Sequence, residues 1–257
     1  MNKKDLIQLG SATAKGGFQN ERDVVAKFNN WKKDKIAQKW LQAMEYKLDD
    51  IEYVKASKVV GQYKADIQVQ IQISIKLKSQ LDVQNLQVKL VSNPQGFNQI
   101  DKRWIDKYAE LWDIPKEIVK DLKLFTGETK PTKKNLKDPR RMLIAEMDKE
   151  NQKRIVNFFE ENRILIISDL IQGRGKFSAD WMLVILKANN KVEWALKSIN
   201  EAMNIFGEGG VRITNQGSIR IGKIGMQRKG GDNGRPTANM LQFKINPVEL
   251  FYRDENK

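Results

Sequence analysis

The chain has 257 residues, 40% of them hydrophobic, so a packed core in one large domain or two small ones is expected. It contains no cysteine and no histidine, which excludes disulfides, thiolate chemistry, Ser-His-Asp triads and nearly all zinc enzymes. A formal net charge of +14 points to a polyanionic partner, nucleic acid first. Any catalysis must rest on carboxylates, lysine, tyrosine or hydroxyls, with or without a hard metal ion held by oxygen ligands. The first twenty residues lack a continuous apolar stretch of the secretory kind, and runs such as WMLVIL at 181–186 are too short for a bilayer. The expectation is a soluble, cytoplasmic, bacterial protein with no membrane partner.

Asn20 reads as a helix cap, followed by Glu21 and Asp23 in the first turn and by Val24, Val25, Phe28 and Trp31 at helical spacing. A second helical pattern runs through Ile36, Trp40, Leu41 and Met44. Residues 51–60 look strand-like. Helix returns through Trp104, Tyr108, Leu111 and Trp112, again around 116–125, and at 148–162. Residues 127–140 are polar, basic and broken by proline, as in a long surface loop. ILIISDLI at 164–171 and WMLVILKA at 181–188 suit buried strands, although period alone does not separate a strand from a short buried helix. Residues 191–206 read as one helix. The last fifty residues alternate short strands with glycine-rich turns. The six tryptophans sit at core spacing and read as packing.

The clearest signal lies at 65–75, ADIQVQIQISI, and 85–92, NLQVKLVS. Ile67, Val69, Ile71, Ile73 and Ile75 alternate with Asp66, Gln68, Gln70, Gln72 and Ser74. Leu86, Val88 and Leu90 alternate with Gln87 and Lys89. A turn near Lys76–Gln80 makes these an antiparallel hairpin, with Asp66 opposite Gln87–Lys89 within a residue or two. The polar face is either the wet side of a sheet edge or a site. As a site, Asp66 would anchor a divalent cation, the Gln87 amide oxygen and the Val88 backbone carbonyl would add ligands, and Lys89 would stabilise charge on a phosphate.

This Asp…Gln-x-Lys arrangement resembles the PD-(D/E)XK nuclease motif, with Ala65 in place of a frequent proline and Gln87 in place of a carboxylate. A wider resemblance runs in colinear order along almost the whole chain. LIQLGSATAKGGFQNERD, YKADIQVQ, NLQVKLVSNPQGFNQIDKRW, FTGE, KDPRRM, GRGKFSADW, SINEAMNIFG and QRKGGDNGRPTANMLQFKINPVELF are similar to type II restriction endonucleases of the HinP kind, which cut GCGC. That family carries glutamine at the Gln87 position. The resemblance implies an α/β fold with a PD-(D/E)XK restriction-endonuclease-like core. A central mixed β-sheet is flanked by helices, and the C-terminal third is β-rich. It implies a single endonuclease domain over 1–257, with a catalytic core over about 1–126 and recognition and remaining sheet elements over about 140–257. It implies Mg2+-dependent cutting of both strands after the first G of GCGC, leaving two-base 5′ overhangs, with Mn2+ as a substitute metal. Asp66, Gln87 and Lys89 carry over as the catalytic set, and Glu21 as an outer ligand or, equally, a helix-dipole partner.

For DNA reading, the stretch from Gln227 to Asn239 is the densest polar, glycine-rich segment. Arg228, Lys229 and Arg235 suit guanine O6 and N7, Asp232 suits cytosine N4, and Asn233 lies in the same loop. Phe97, in a turn after the second strand, is read either as a wedge between base pairs, with Asn98 and Gln99 at base edges, or as a cap on the core under the following helix. Lys102, Arg103, Lys133, Lys134, Arg140, Arg141, Arg174 and Lys176 are phosphate-contact candidates. Competing readings are a non-catalytic basic DNA-binding protein and a repair or recombination nuclease using the same site. A palindromic target allows either a monomer or a homodimer. A cognate DNA methyltransferase is expected as a genetic companion and not as a bound subunit.

Overall fold

The computed structural model describes residues 19–61, 64, 66–75, 78–231 and 235–251, and the side chains at 68 and 70–80 lie outside that set. In chain order the elements begin with α1 (19–29), α2 (Lys35–Ala43), β1 (Ile51–Lys58), β2 (Ile67–Ile75) and β3 (Lys78–Val91). They continue with β4 (Asn98–Arg103), α3 (Ile105–Trp112), α4 (Lys116–Thr126), α5 (Lys149–Glu161), α6 (Arg163–Ile171), β5 (Trp181–Ala188) and β6 (Lys191–Ser198). The last are α7 (Ile199–Gly207), β7 (Val211–Ile213), β8 (Ile219–Ile221), β9 (Ile224–Arg228) and β10 (Leu241–Ile245). Among the described residues no helix is long and apolar enough to cross a membrane. Two compact units share the chain: Met1–Gly96 with Ile171–Met203 and Pro247–Lys257, and Phe97–Leu170 with Asn204–Asn246.

The first unit holds a mixed sheet in the order β1-β2-β3-β5-β6, parallel only between β3 and β5. Ile75 pairs with Lys78, and residues 76–77 of the expected turn lie outside the described residues. Ile67, Val69, Leu86, Val88, Leu183, Ile185 and Leu196 form the core face, covered by Val24, Phe28, Trp40 and Leu41 of α1 and α2. The Trp40 ring lies 5.3 Å from Phe28 and 6.3 Å, edge-on, from Trp194. Alternation therefore puts Leu86 and Val88 of β3 under the helices and Gln87 and Lys89 on the other side, whereas β5 is apolar and buried on both faces.

The second unit holds an antiparallel sheet in the order β4-β10-β9-β8-β7. Tyr108 and Trp112 of α3 stack at 4.7 Å and meet Phe243 edge-on at 5.3 and 5.7 Å. The Trp112 indole N–H donates to Asp169 at 2.8 Å. Gly222 closes the β8–β9 turn with φ +56°, and a Cβ there would lie 2.7 Å from the Phe206 carbonyl, so only glycine fits.

Four sequence expectations change. Asn20 is not a cap: it lies inside α1 and is buried. ILIISDLI is helix, with Ile166, Ile167, Leu170 and Ile171 buried at helical spacing. The stretch SNPQGFNQID after the second strand, which reads in sequence as a turn-rich connection, gives way at Asn98 to a strand, 98–103, paired to β10. The single helix expected over 191–206 is β6 followed by α7. Asn189 and Asn190 both adopt left-handed angles, φ 51° and 58°, which closes a two-residue hairpin with Ala188 opposite Lys191. Ser198 and Glu201 then exchange N–H bonds through their side chains, a capping box that starts α7.

Asp34 caps α2, accepting from Ile36 and Ala37 N–H at 2.9 and 3.0 Å and from Lys27 at 2.9 Å. Burial pushes its carboxyl up, but the Ala37 amide, Lys27 and the Ile36 amide outweigh it and hold the carboxyl below its usual value. A depressed folded-state pKa means the stabilisation is complete above the unfolded value and disappears as pH falls through the folded one. Asp34→Ala is expected to lower unfolding free energy by about 1 kcal/mol at neutral pH. In urea titrations the gap from the parent should close in acid, and a gap that widened in acid would contradict this role.

Candidate active site

Asp66 is fixed on both sides by neighbouring strands. Its N–H donates to the Leu86 carbonyl at 2.8 Å, and its carbonyl accepts from Val59 N–H at 3.0 Å. Val88 donates its N–H to Asp66 Oδ2 at 2.7 Å. The carboxylate is thus seated on the backbone between Gln87 and Lys89, and the three sequence-expected residues come together where β2 begins.

Gln87 and Lys89 share the face opposite Leu86 and Val88, as strand alternation requires. Their partners on β5 are Met182 and Val184, both fully buried. Lys89 is half-buried. Gln87 is only 2% exposed, and its Oε1 is buried without a hydrogen-bond partner. A buried acceptor left unsatisfied costs about 1–3 kcal/mol. A hard cation relieves that cost, and the donors present suit Mg2+: a carboxylate, an amide oxygen and the Val88 carbonyl. Among the described residues no three acidic side chains cluster as a metal site.

The segment before β5 closes one end of this face, which the sequence reading missed. Asn85 donates its N–H to Asp180 Oδ2 at 2.8 Å and its amide N–H to the Lys176 carbonyl at 3.3 Å. Asp180 returns its own N–H to the Asn85 carbonyl at 2.8 Å. Burial pushes the Asp180 carboxyl up, against the Asn85 amide that favours its charge. No local signal marks this contact, because 95 residues separate the partners. Glu21, the proposed outer ligand, pairs with Lys58 at 2.5 Å. Lys58 lies opposite Ile67, the residue after Asp66.

In the second unit, Phe97 is 47% exposed, so it is not a core residue, and the Arg220 guanidinium lies 5.8 Å from its ring centre. Gln99 and Lys102 are exposed on β4, and Asn98 is half-buried. Arg228 gives Nε and Nη2 to Asn239 Oδ1 at 3.1 and 2.7 Å, and Asn239 holds the Gly127 carbonyl at 2.9 Å. Arg228 is therefore also a brace for the loop it opens. Lys229 is half-buried and Arg235 exposed on the two sides of that loop. Asp232 and Asn233 lie outside the described residues. Of the phosphate-contact candidates, Arg103 is paired with Asp101, Arg140 and Arg141 with Asp138, and Lys133 with the Glu146 carbonyl. The Arg140 side chain holds the Asp138 carboxyl down to about 2.

No curated protein matches the chain. A solved structure, restriction endonuclease MspI in complex with its cognate DNA, is similar with a TM-score of 0.57 at 16% identity, over 85% of this chain and 80% of that one. That likeness establishes the fold: a mixed sheet flanked by helices, of the restriction-endonuclease type. The model of the R.HinP1I restriction endonuclease family matches residues 44–251, from the end of α2 past β10. The chain belongs to the R.HinP1I restriction endonuclease family.

Proposed function

We propose that this restriction endonuclease is Mg2+-dependent and cuts both strands of GCGC after the first G, leaving two-base 5′ overhangs. Mn2+ is the expected substitute metal. The observation that carries the reading is the buried, unpartnered Gln87 Oε1, on the face of Lys89 and beside a carboxylate seated on Val88 N–H. Asp66, Gln87 Oε1 and the Val88 carbonyl would hold the ion, with Glu21 as an outer ligand. When bound, Mg2+ polarises the scissile phosphate and lowers the pKa of a water ligand. The Lys89 ammonium, two residues from Gln87, stabilises the negative charge that develops on the phosphate during attack. The Val88 N–H holds the Asp66 carboxylate in one orientation before substrate arrives, which reduces the reorganisation needed at reaction.

In the same reading Phe97 enters the base stack, with Asn98, Gln99 and Lys102 beside it. Lys229, Arg235, Asp232 and Asn233 supply donors and acceptors for a GC-only site, and Arg228 both reads and braces the loop. The protein acts as a monomer cutting the strands in turn or as a homodimer, and a DNA methyltransferase protects the host genome.

Plasmid DNA incubated with the protein is expected to be cut only with Mg2+, with ends mapping to GCGC. Asp66→Ala and Lys89→Ala should abolish cutting and leave duplex retardation largely intact. Intact but retarded DNA, random nicks, or full activity in either variant would refute the site or its specificity.

Gln87→Leu separates the metal role from a packing role. It should be inactive, yet in metal-free buffer it should unfold no earlier than the parent, because removing an unsatisfied buried amide recovers part of about 1–3 kcal/mol. A strongly destabilised Gln87→Leu would show that the amide serves the fold.

Phe97→Ala should reduce cognate binding together with DNA distortion, read by 2-aminopurine fluorescence next to the target step; unchanged fluorescence would remove the wedge.

A further inference from the structure

The second sheet has two unlike faces. Leu241, Phe243, Ile245, Ile224, Met226, Ile219 and Ile221 are buried on one, where α3 packs. On the other face the register aligns one row across all five strands. Gln99 lies opposite Lys244, Lys244 opposite Gly225, Gly225 opposite Arg220, and Arg220 opposite Arg212. Lys102, Gln242 and Gln227 form the row beside it. At about 4.8 Å per strand, the first row spans about 19 Å.

Neither row contains an acidic residue. Asp101, on the same strand as Gln99 and Lys102, is turned to the other side, where it accepts from Tyr108 and Arg103. Arg212 and Arg220 face each other directly, an arrangement that destabilises a sheet unless an anion lies between them. Among the described residues no carboxylate pairs with Arg212, Arg220 or Lys244. Burial without a counter-charge pulls the Lys244 ammonium below its usual value. The centre of the row is bare backbone, since a Cβ on Gly225 would meet only the Lys244 carbonyl, 3.8 Å away. The exposed Phe97 ring belongs to the same face, because Arg220 reaches it.

We infer that the part of this row from Lys244 through Gly225 and Arg220 to Arg212 is a sequence-independent seat for the sugar-phosphate backbone of duplex DNA. Arg212, Arg220 and Lys244 contact phosphates, and Gly225 leaves room for the backbone to approach the sheet. The inference rests on the DNA-cutting reading and extends it to residues that no base-reading loop contains. Arginine and lysine both serve here, because a phosphate track needs charge and not a bidentate fork.

The test is duplex binding by fluorescence anisotropy over a range of salt, with Ca2+ in place of Mg2+ and with duplexes that contain or lack GCGC. Each lost phosphate contact should make the slope of log affinity against log salt shallower by about 0.9. Arg212→Gln/Arg220→Gln should therefore lose about 1.8 of slope on both duplexes, and Arg212→Lys/Arg220→Lys should restore it. If the double variant does not fold, Arg212→Gln alone, at an exposed position, should lose about 0.9. An unchanged slope, or a loss confined to the GCGC duplex, overturns the seat while leaving the nuclease reading intact. A parent that binds neither duplex overturns both.

Discussion

The bond from Val88 N–H to the Asp66 carboxylate is the contact on which the candidate site depends. It fixes a side chain at the start of β2 against a backbone position on β3, and so ties orientation to register. The rest of the first sheet enforces that register. A slip of one residue would turn Gln87 and Lys89 into the apolar core beside Trp40, Ile67 and Val69 and take Leu86 and Val88 out of it. Burying an unpaired ammonium costs several kcal/mol, so the slipped pairing cannot compete. The hydrophobic core that makes the hairpin fold is thus the same constraint that presents Asp66, Gln87 and Lys89 together.

The hairpin was legible in the sequence because strand alternation is local and binary. Ile67, Val69, Leu86 and Val88 sort to one side, and the polar residues have only one other side to occupy. The signals at Asn189-Asn190 and Ser198-x-x-Glu201 were equally local. The single-helix reading of 191–206 passed over them, and the pairing of β6 with β5 overrides it. ILIISDLI was ambiguous for a physical reason: a short apolar run fits a buried strand and a buried helix alike. The parallel pairing of β3 with β5 left no local trace, and it is this pairing that places Met182 and Val184 beside Gln87 and Lys89. The sequence could therefore name Gln87 but could not show that its oxygen is buried without a donor. The cationic row was half-legible. Arg212 and Arg220 alternate with apolar neighbours within VRI and IRI, but only the register shows that they oppose each other.

The glutamine deserves a physical account, because the broader nuclease motif has a carboxylate there. At 2% exposure a carboxylate with no metal bound would be strongly desolvated, and its pKa would rise until it took up a proton. A neutral amide avoids that penalty. It carries the smaller cost of one unsatisfied acceptor, and it stays competent to coordinate at any pH. In the proposed metal site the exchange would lower the negative charge by one, and a phosphate of the substrate would bring that missing charge.

If the site takes Mg2+ as proposed, it would be completed by its own substrate. A formal net charge of +14 would oppose a divalent cation on the free protein. Bound DNA would neutralise that basic surface, and a phosphate would bring an oxygen beside Gln87 and Asp66. Metal binding and DNA binding would then reinforce each other, since each supplies charge the other requires. The same logic would apply to the second sheet, where Arg212 and Arg220 face each other and a polyanion across them would relieve their repulsion.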